Sequence, residues 1–196
     1  TFGTLALTGA NVAVTENAAT DLGASTVGGT LGITSTGAVT DSGTLAITGA
    51  TTISASGQDI TLDEAASTFG TLALTGSNVA VTENAAMDLG ASTIGGTANF
   101  NSTSNVITDS GTLAITGATT INAGTADITL DQAASTFGAL ALTGANVAVT
   151  ENAATDLAAS TVSGTLGVTS TGAVTDSGTL AITGATTISA SGQDIT

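Results

Sequence analysis

TFGTLALTG at residues 1–9 returns unchanged at 68–76 and again, with one substitution, as TFGALALTG at 136–144. The steps are 67 and 68 residues, so three near-copies fill the chain: 1–67, 68–135 and a truncated 136–196 that stops at Thr196, the equivalent of Thr61. Repetition at a fixed period is the signature of an array in which each unit buries its apolar face only against its neighbours. The one extra residue of the second copy falls in Ser102–Ile107, which replaces Ser35–Val39. An insertion tolerated there marks a loop or corner.

Within the first copy, Leu5 and Leu7, Val12 and Val14, Leu31 and Ile33, Leu45 and Ile47, and Ile60 and Leu62 alternate with Thr, Ala, Gly or Asn. Period two with dense β-branching and a Gly in every segment is the pattern of short strands and argues against helix. Nine strand slots follow: TLALT, NVAVT, TDLGAS, TLGIT, GAVTD, TLAIT, TTISA, DITLD and STFG. The expected fold is all-β, a right-handed parallel β-helix (β-solenoid) with about three rungs per 67-residue repeat, running as one continuous solenoid. The expected register has rungs at 4–29, 30–50 and 51–70. TLALT then lies under TLGIT and TTISA, and Leu5 sits one coil from Leu31. Eight to nine coils at about 4.8 Å each give a length of roughly 40 Å.

The copies also compare with one another. Val27, Ile94 and Val162, then Val39, Ile107 and Val174, then Leu45, Leu113 and Leu180 stay aliphatic, as inward positions should. Leu31 and Ile33 become Ala98 and Phe100 together. A smaller residue beside a larger one conserves core volume.

Composition excludes several classes of function. The chain has 15 Asp plus Glu and no Lys, Arg or His, for a formal charge of −15, and it lacks Cys. Without cations it cannot neutralise phosphate, so nucleic acid and anionic lipid are not expected as partners. Without Cys or His, the usual zinc, haem and iron–sulfur ligands are missing. No apolar run approaches the length of a membrane-spanning helix, so membrane insertion is not expected.

GTLAITGATTISASGQDITL at 43–62, with its Gly-x-Leu-x-Ile-Thr and Asp-Ile-Thr-Leu units, resembles the repeat region of filamentous-haemagglutinin-like adhesins and other giant secreted bacterial β-helix proteins. The likeness covers the whole chain, although a 67-residue super-repeat and a complete lack of cations depart from that pattern. It implies an extracellular or bacterial cell-surface location and a place in a fibre exported unfolded.

Enzymatic chemistry is not expected. Only carboxylates remain as acid–base groups, and a Ser or Thr nucleophile would have no His or Lys base. A carboxylate-based glycosidase is the weakest of the functional classes. Glu16, Asp21, Asp41 and Asp59 recur in every copy, as Glu83, Asp88, Asp109 and Asp127 and as Glu151, Asp156, Asp176 and Asp194. A catalytic site is not usually repeated at every structural period. In the expected register Glu16, Asp41, Glu64, Glu83, Asp109, Glu151 and Asp176 form one acidic column, broken by Gln132. Neighbouring charges about 5 Å apart repel by roughly 0.8 kcal/mol in water. The column therefore calls for full solvation at a corner or for a hard cation such as Ca²⁺.

The leading functional expectation is a structural module, the stiff shaft of an extracellular fibre or giant adhesin that associates end to end or within a longer chain. The absence of trypsin-like cleavage sites and of Cys suits an exposed material. The alternative is a Thr-rich surface that binds carbohydrate or ice, motivated by Thr4, Thr8, Thr15, Thr34, Thr36 and Thr40.

Overall fold

The computed structural model describes all of residues 1–196, and every regular element in it is a strand. All strand pairs are parallel, which a single chain achieves by coiling. Two sheets run the length of the molecule, each with a path of ten stacked strands, so the β-solenoid has about ten turns. At about 4.8 Å per turn that is roughly 48 Å, slightly more than the sequence suggests.

In the first repeat the two main sheets receive, alternately, Thr4–Leu5, Val12–Glu16, Thr20–Leu22, Leu31–Ser35, Val39–Asp41, Thr51–Ser54 and Ile60–Leu62. Seven strands at two per turn make three and a half turns. The next copy therefore begins half a turn out of phase. Thr71–Gly76, the equivalent of Thr4–Gly9, lies on the opposite sheet, and Leu140–Gly144 returns to the first.

A short third ladder completes each repeat. In the first copy it consists of Thr8–Gly9, Ser25–Val27 and Leu45–Ile47, with Thr68 bridged to Ala46. In the second copy Thr75, Ser92–Ile94, Leu113–Ile115 and Thr136 play this part. Because of the half-turn shift, the ladder lies between a first-sheet and a second-sheet strand in one copy and between a second-sheet and a first-sheet strand in the next.

The strand slots hold, but their register is corrected. Leu5 pairs with Leu22, not Leu31, and Leu31 pairs with Val12 below and Thr51 above. The true stack is NVAVT, TLGIT, TTIS and then the TLALT of the following copy. A coil takes 17 residues from Thr4 to Asp21 and 22 from Ala46 to Thr68. The reason for the slip is physical. Every slot carries the same alternation of Leu, Val or Ile with small residues, so shifting by a whole slot costs nothing in apolar matching. Polar links at the corners select the register, and they are described below.

The interior is one cluster of 39 buried apolar residues. Val27, Ile94 and Val162 are fully buried, as are Val39, Ile107, Leu45 and Leu113. Ala98 and Phe100 both point inward on one strand, as their joint exchange for Leu31 and Ile33 requires. The inserted residue of the second copy lies in a turn between Ala98–Asn101 and Ile107–Asp109, where Thr103 and Ser104 take positive φ.

Gly49 and Gly70 mark a corner where successive backbones nearly touch. A Cβ on Gly70 would lie 2.7 Å from the Thr48 carbonyl oxygen and closer still to that of Gly49. Gly138 stands in the same relation to Gly117. Only glycine fits there.

A second close approach explains a paired change between copies. A Cβ on Gly23 or Gly90 would meet the Cγ2 of Thr4 or Thr71 at 2.8 Å. In the third copy the glycine has become Ala158, and the threonine has become Ala139. Loss of the methyl makes room for the added Cβ, and the Ala158 N–H still donates to the Leu140 carbonyl, as Gly23 does to Leu5.

Candidate functional site

The seven carboxylates expected in one column are not stacked. Glu16 ends a second-sheet strand and is in register with Ser35, whereas Asp41 lies on the first sheet and is in register with Leu22. Asp109 stands against Leu89, Glu151 against Ser170, and Asp176 against Leu157. These register partners are apolar or hydroxylic; on the opposite side Asp41 adjoins Asp63 and Glu64, and Asp109 adjoins Asp131, whose charges add to the rise in pKa that burial gives the two carboxyls. The column depended on the slipped register and disappears with it. No three of the carboxylates converge on a metal-sized site.

Carboxylates of the four recurring positions instead grip backbone or a side chain of an adjoining coil. Glu83 is completely buried, and its Oε1 accepts the Phe69 N–H at 2.5 Å. Glu151 does the same for Phe137 at 2.7 Å. Both oxygens of Glu16 accept from Phe2, at 3.0 and 3.2 Å, with the chain's terminal ammonium 3.4 Å away. The aromatic residue of each Thr-Phe-Gly motif is therefore tied to a glutamate 14 residues on. The second oxygen of Glu83 and that of Glu151 are buried without any partner. Burial raises both groups, that of Glu83 to about 7, against the opposing effect of the Phe N–H.

Asp41 accepts the N–H groups of Asp63 and Glu64 at 2.9 and 3.4 Å, and Asp109 those of Asp131 and Gln132 at 2.8 and 3.4 Å. Burial again raises both carboxyls, and the two N–H groups partly offset it. Glu64 is half-buried and contributes its backbone N–H to this turn. Asp176 is exposed.

Two further sets are built on aspartates whose recurrence the sequence shows but to which sequence reasoning gave no role. Asp59 Oδ1 accepts both the backbone N–H and the Nδ2 of Asn78, each at 3.0 Å. The Oδ1 of Asn78 in turn accepts the N–H and hydroxyl of Thr97. Asp127, Asn146 and Thr165 repeat the relay. It joins three successive coils and crosses the boundary between repeats. The other set centres on Asp88, which accepts hydroxyls from Thr71 below and Ser110 above, both at 2.8 Å. Asp156 keeps Ser177 but faces Ala139 where Thr71 would be, and its Oδ1 is buried and unpartnered. Polar residues spaced 17 or 19 apart, the length of one coil, were the available signal.

Chemically, these groups are staples. They hold neighbouring coils at fixed register, each carboxylate working with N–H or O–H donors in a chain that has no cationic side chain. No pocket opens in the surface, and no helix is long and apolar enough to cross a membrane.

Searches of the curated proteins and of the solved structures found no match. Residues 9–75, 76–143 and 144–196 each match one family of repeats, and the starts of successive matches are 67 and 68 residues apart. The chain belongs to the family described as repeats of unknown function, DUF5649.

Proposed function

We propose that this chain is a non-catalytic structural module, a length of stiff shaft in an extracellular or cell-surface fibre of the giant-adhesin kind. The observation that carries this reading is the junction between repeats. Leu72–Thr75 pairs with Thr51–Ser54, and Val79–Val81 with Ile60–Leu62, through the same parallel ladders that join coils inside a repeat. The core likewise runs through the boundary as one cluster. Repeats can therefore be added without a hinge, and length grows in proportion to their number. The lack of Lys and Arg, which denies trypsin-like proteases a site, supports an exposed location.

The test is the length of chains carrying three, six and nine repeats, measured by electron microscopy or small-angle scattering. Each repeat should add about 17 Å at constant cross-section, three and a half turns at about 4.8 Å. A chain of six repeats no longer than one of three, or folded back on itself, would refute the shaft.

The carbohydrate- or ice-binding reading rests on outward hydroxyl columns such as Thr40 with Thr61 and Thr108 with Thr129. Each of these two is interrupted at the next coil, by Ala80 and Ala148, whereas Thr15, Thr34, Ser54, Thr75 and Thr93 run on in register as a single-file hydroxyl ladder. The exposed pair Thr34 and Thr36 has Thr15 and Asn17 below it, not a second Thr-x-Thr row. The geometry therefore favours the shaft.

A further inference from the structure

We propose that the Glu83–Phe69 link, at the boundary between the first and second copies, is a pH-operated joint, and that Met87 is the residue that makes it one. The joint loosens as pH rises through neutrality, while the Glu151–Phe137 link at the next boundary is held by Thr155. This goes beyond the shaft reading, which concerns how repeats join and not when a joint loosens.

The two links are built alike. In each, one carboxylate oxygen accepts the phenylalanine N–H across a coil, at 2.5 and 2.7 Å, and the other oxygen is buried with no hydrogen-bond partner. Beside them the Asn84 N–H donates to the Ser67 carbonyl at 2.9 Å, and the Asn152 N–H to that of Ser135 at 2.7 Å. What differs lies one helical-free step along the chain, four residues after the glutamate. Threonine stands there in the first and third copies, as the buried Thr20 and Thr155, and the second copy has the fully buried Met87. The Thr155 hydroxyl is buried and otherwise unpartnered. Burial raises Glu151, but the Phe137 N–H and this hydroxyl both work against it. Met87 cannot do the same, because a thioether has no proton to donate.

No other charge decides the state of Glu83. The turn at 63–70 below it carries Asp63 and Glu64, and the turn at 102–106 above it carries no ionisable group. Met87–Leu89 carries Asp88, and Ile107–Asp109, paired with it, carries Asp109. None of these moves Glu83, whose balance is set by burial against the Phe69 N–H. Once ionised, Glu83 keeps one oxygen dry and unpaired, a state that burial penalises. Release of the turn at 63–70, where Ala65 and Ala66 are already exposed, lets water reach that oxygen without disturbing the strands on either side.

Amide hydrogen exchange compares the two links within one molecule. With Glu83 at 4.5 when exposed and about 7 when buried, protection of the Phe69 N–H, corrected for the intrinsic exchange rate, should fall about 70-fold from pH 5 to 8. Protection of the Phe137 N–H should fall markedly less. The exchanged variant Met87→Thr/Thr155→Met gives each site a residue that another copy already accommodates, and it should reverse that order. Glu83→Gln should abolish the loss at Phe69 and leave Phe137 as it was. Unfolding of the whole chain would expose both amides together, so an equal loss at Phe69 and Phe137 overturns the proposal. So does an order unchanged by the exchanged variant, or a loss at Phe69 that survives Glu83→Gln. The length of chains with three, six and nine repeats is independent of each of these outcomes.

Discussion

Glu83 makes the stability of this protein depend on pH in a direction opposite to that of a salt-bridged protein. Its carboxyl is fully buried, holds the Phe69 N–H through one oxygen and has no partner for the other. Burial raises its pKa from 4.5 to about 7. A group raised on folding contributes stability that is complete below its unfolded pKa and is lost as pH rises through the folded one. The window here is about pH 4.5 to 7, and the full difference corresponds to about 3 kcal/mol. For a chain of this length unfolding as a unit, that is about 7 °C in Tm. Most of it, about 6 °C, should be lost between pH 5 and 8 in a calorimetric series. Glu83→Gln keeps the acceptor for Phe69 and cannot ionise. Its Tm should match that of the wild type at pH 5 and exceed it by about 6 °C at pH 8. A residual slope of the same sign remains from Glu151, Asp41 and Asp109, which burial also raises. A wild-type Tm that climbs from pH 5 to 8, or a Glu83→Gln variant with an unaltered slope, would refute the reasoning.

In the third copy, Ala139→Thr should destabilise the fold by about 1–3 kcal/mol, because its methyl would meet the Cβ of Ala158. Adding Ala158→Gly should recover most of that loss, and a double-mutant cycle by denaturant titration measures the coupling. Leu31→Asp should cost more than about 3 kcal/mol, since a buried charge finds no cation in this chain, and an unchanged melting curve would place Leu31 outside the core. Asn146→Ala removes three hydrogen-bond links between the Asp127 and Thr165 coils and should cost about 1–2 kcal/mol, read as faster amide exchange at Thr165. Calcium should shift Tm no more than magnesium at equal ionic strength, since no carboxylates are gathered for it; a calcium-specific rise would overturn that expectation.

The sequence discloses this architecture because alternation and repetition are local properties. Leu45 and Ile47 face inward whatever lies above them, and so do Leu113 and Ile115. Register is not local. Leu5 matches Leu31 as well as it matches Leu22 on apolar grounds, and the choice falls to pairs such as Asn11 with Thr30 or Thr4 with Asp21, separated by one coil. Coil length varies from 17 to 22 residues, so no single period exposes those pairs. The acidic column inherited that error. It aligned residues by their place in a slot, whereas Glu16 and Asp41 belong to different sheets.

The half-turn offset between copies bears on straightness. Each repeat is lopsided, with a short third ladder along one side and the glycine-packed corner in a fixed place. If a repeat were a whole number of turns, every copy would put its wider side on the same flank, and small wedge angles would add into an arc, as in curved solenoids. With three and a half turns, each wedge is followed by its opposite. Curvature introduced by one copy is cancelled by the next over a distance of about 34 Å, the rise of seven turns. A rod built this way remains straight without needing any single repeat to be symmetrical, and a substitution that distorts every copy alike would leave its axis unbent.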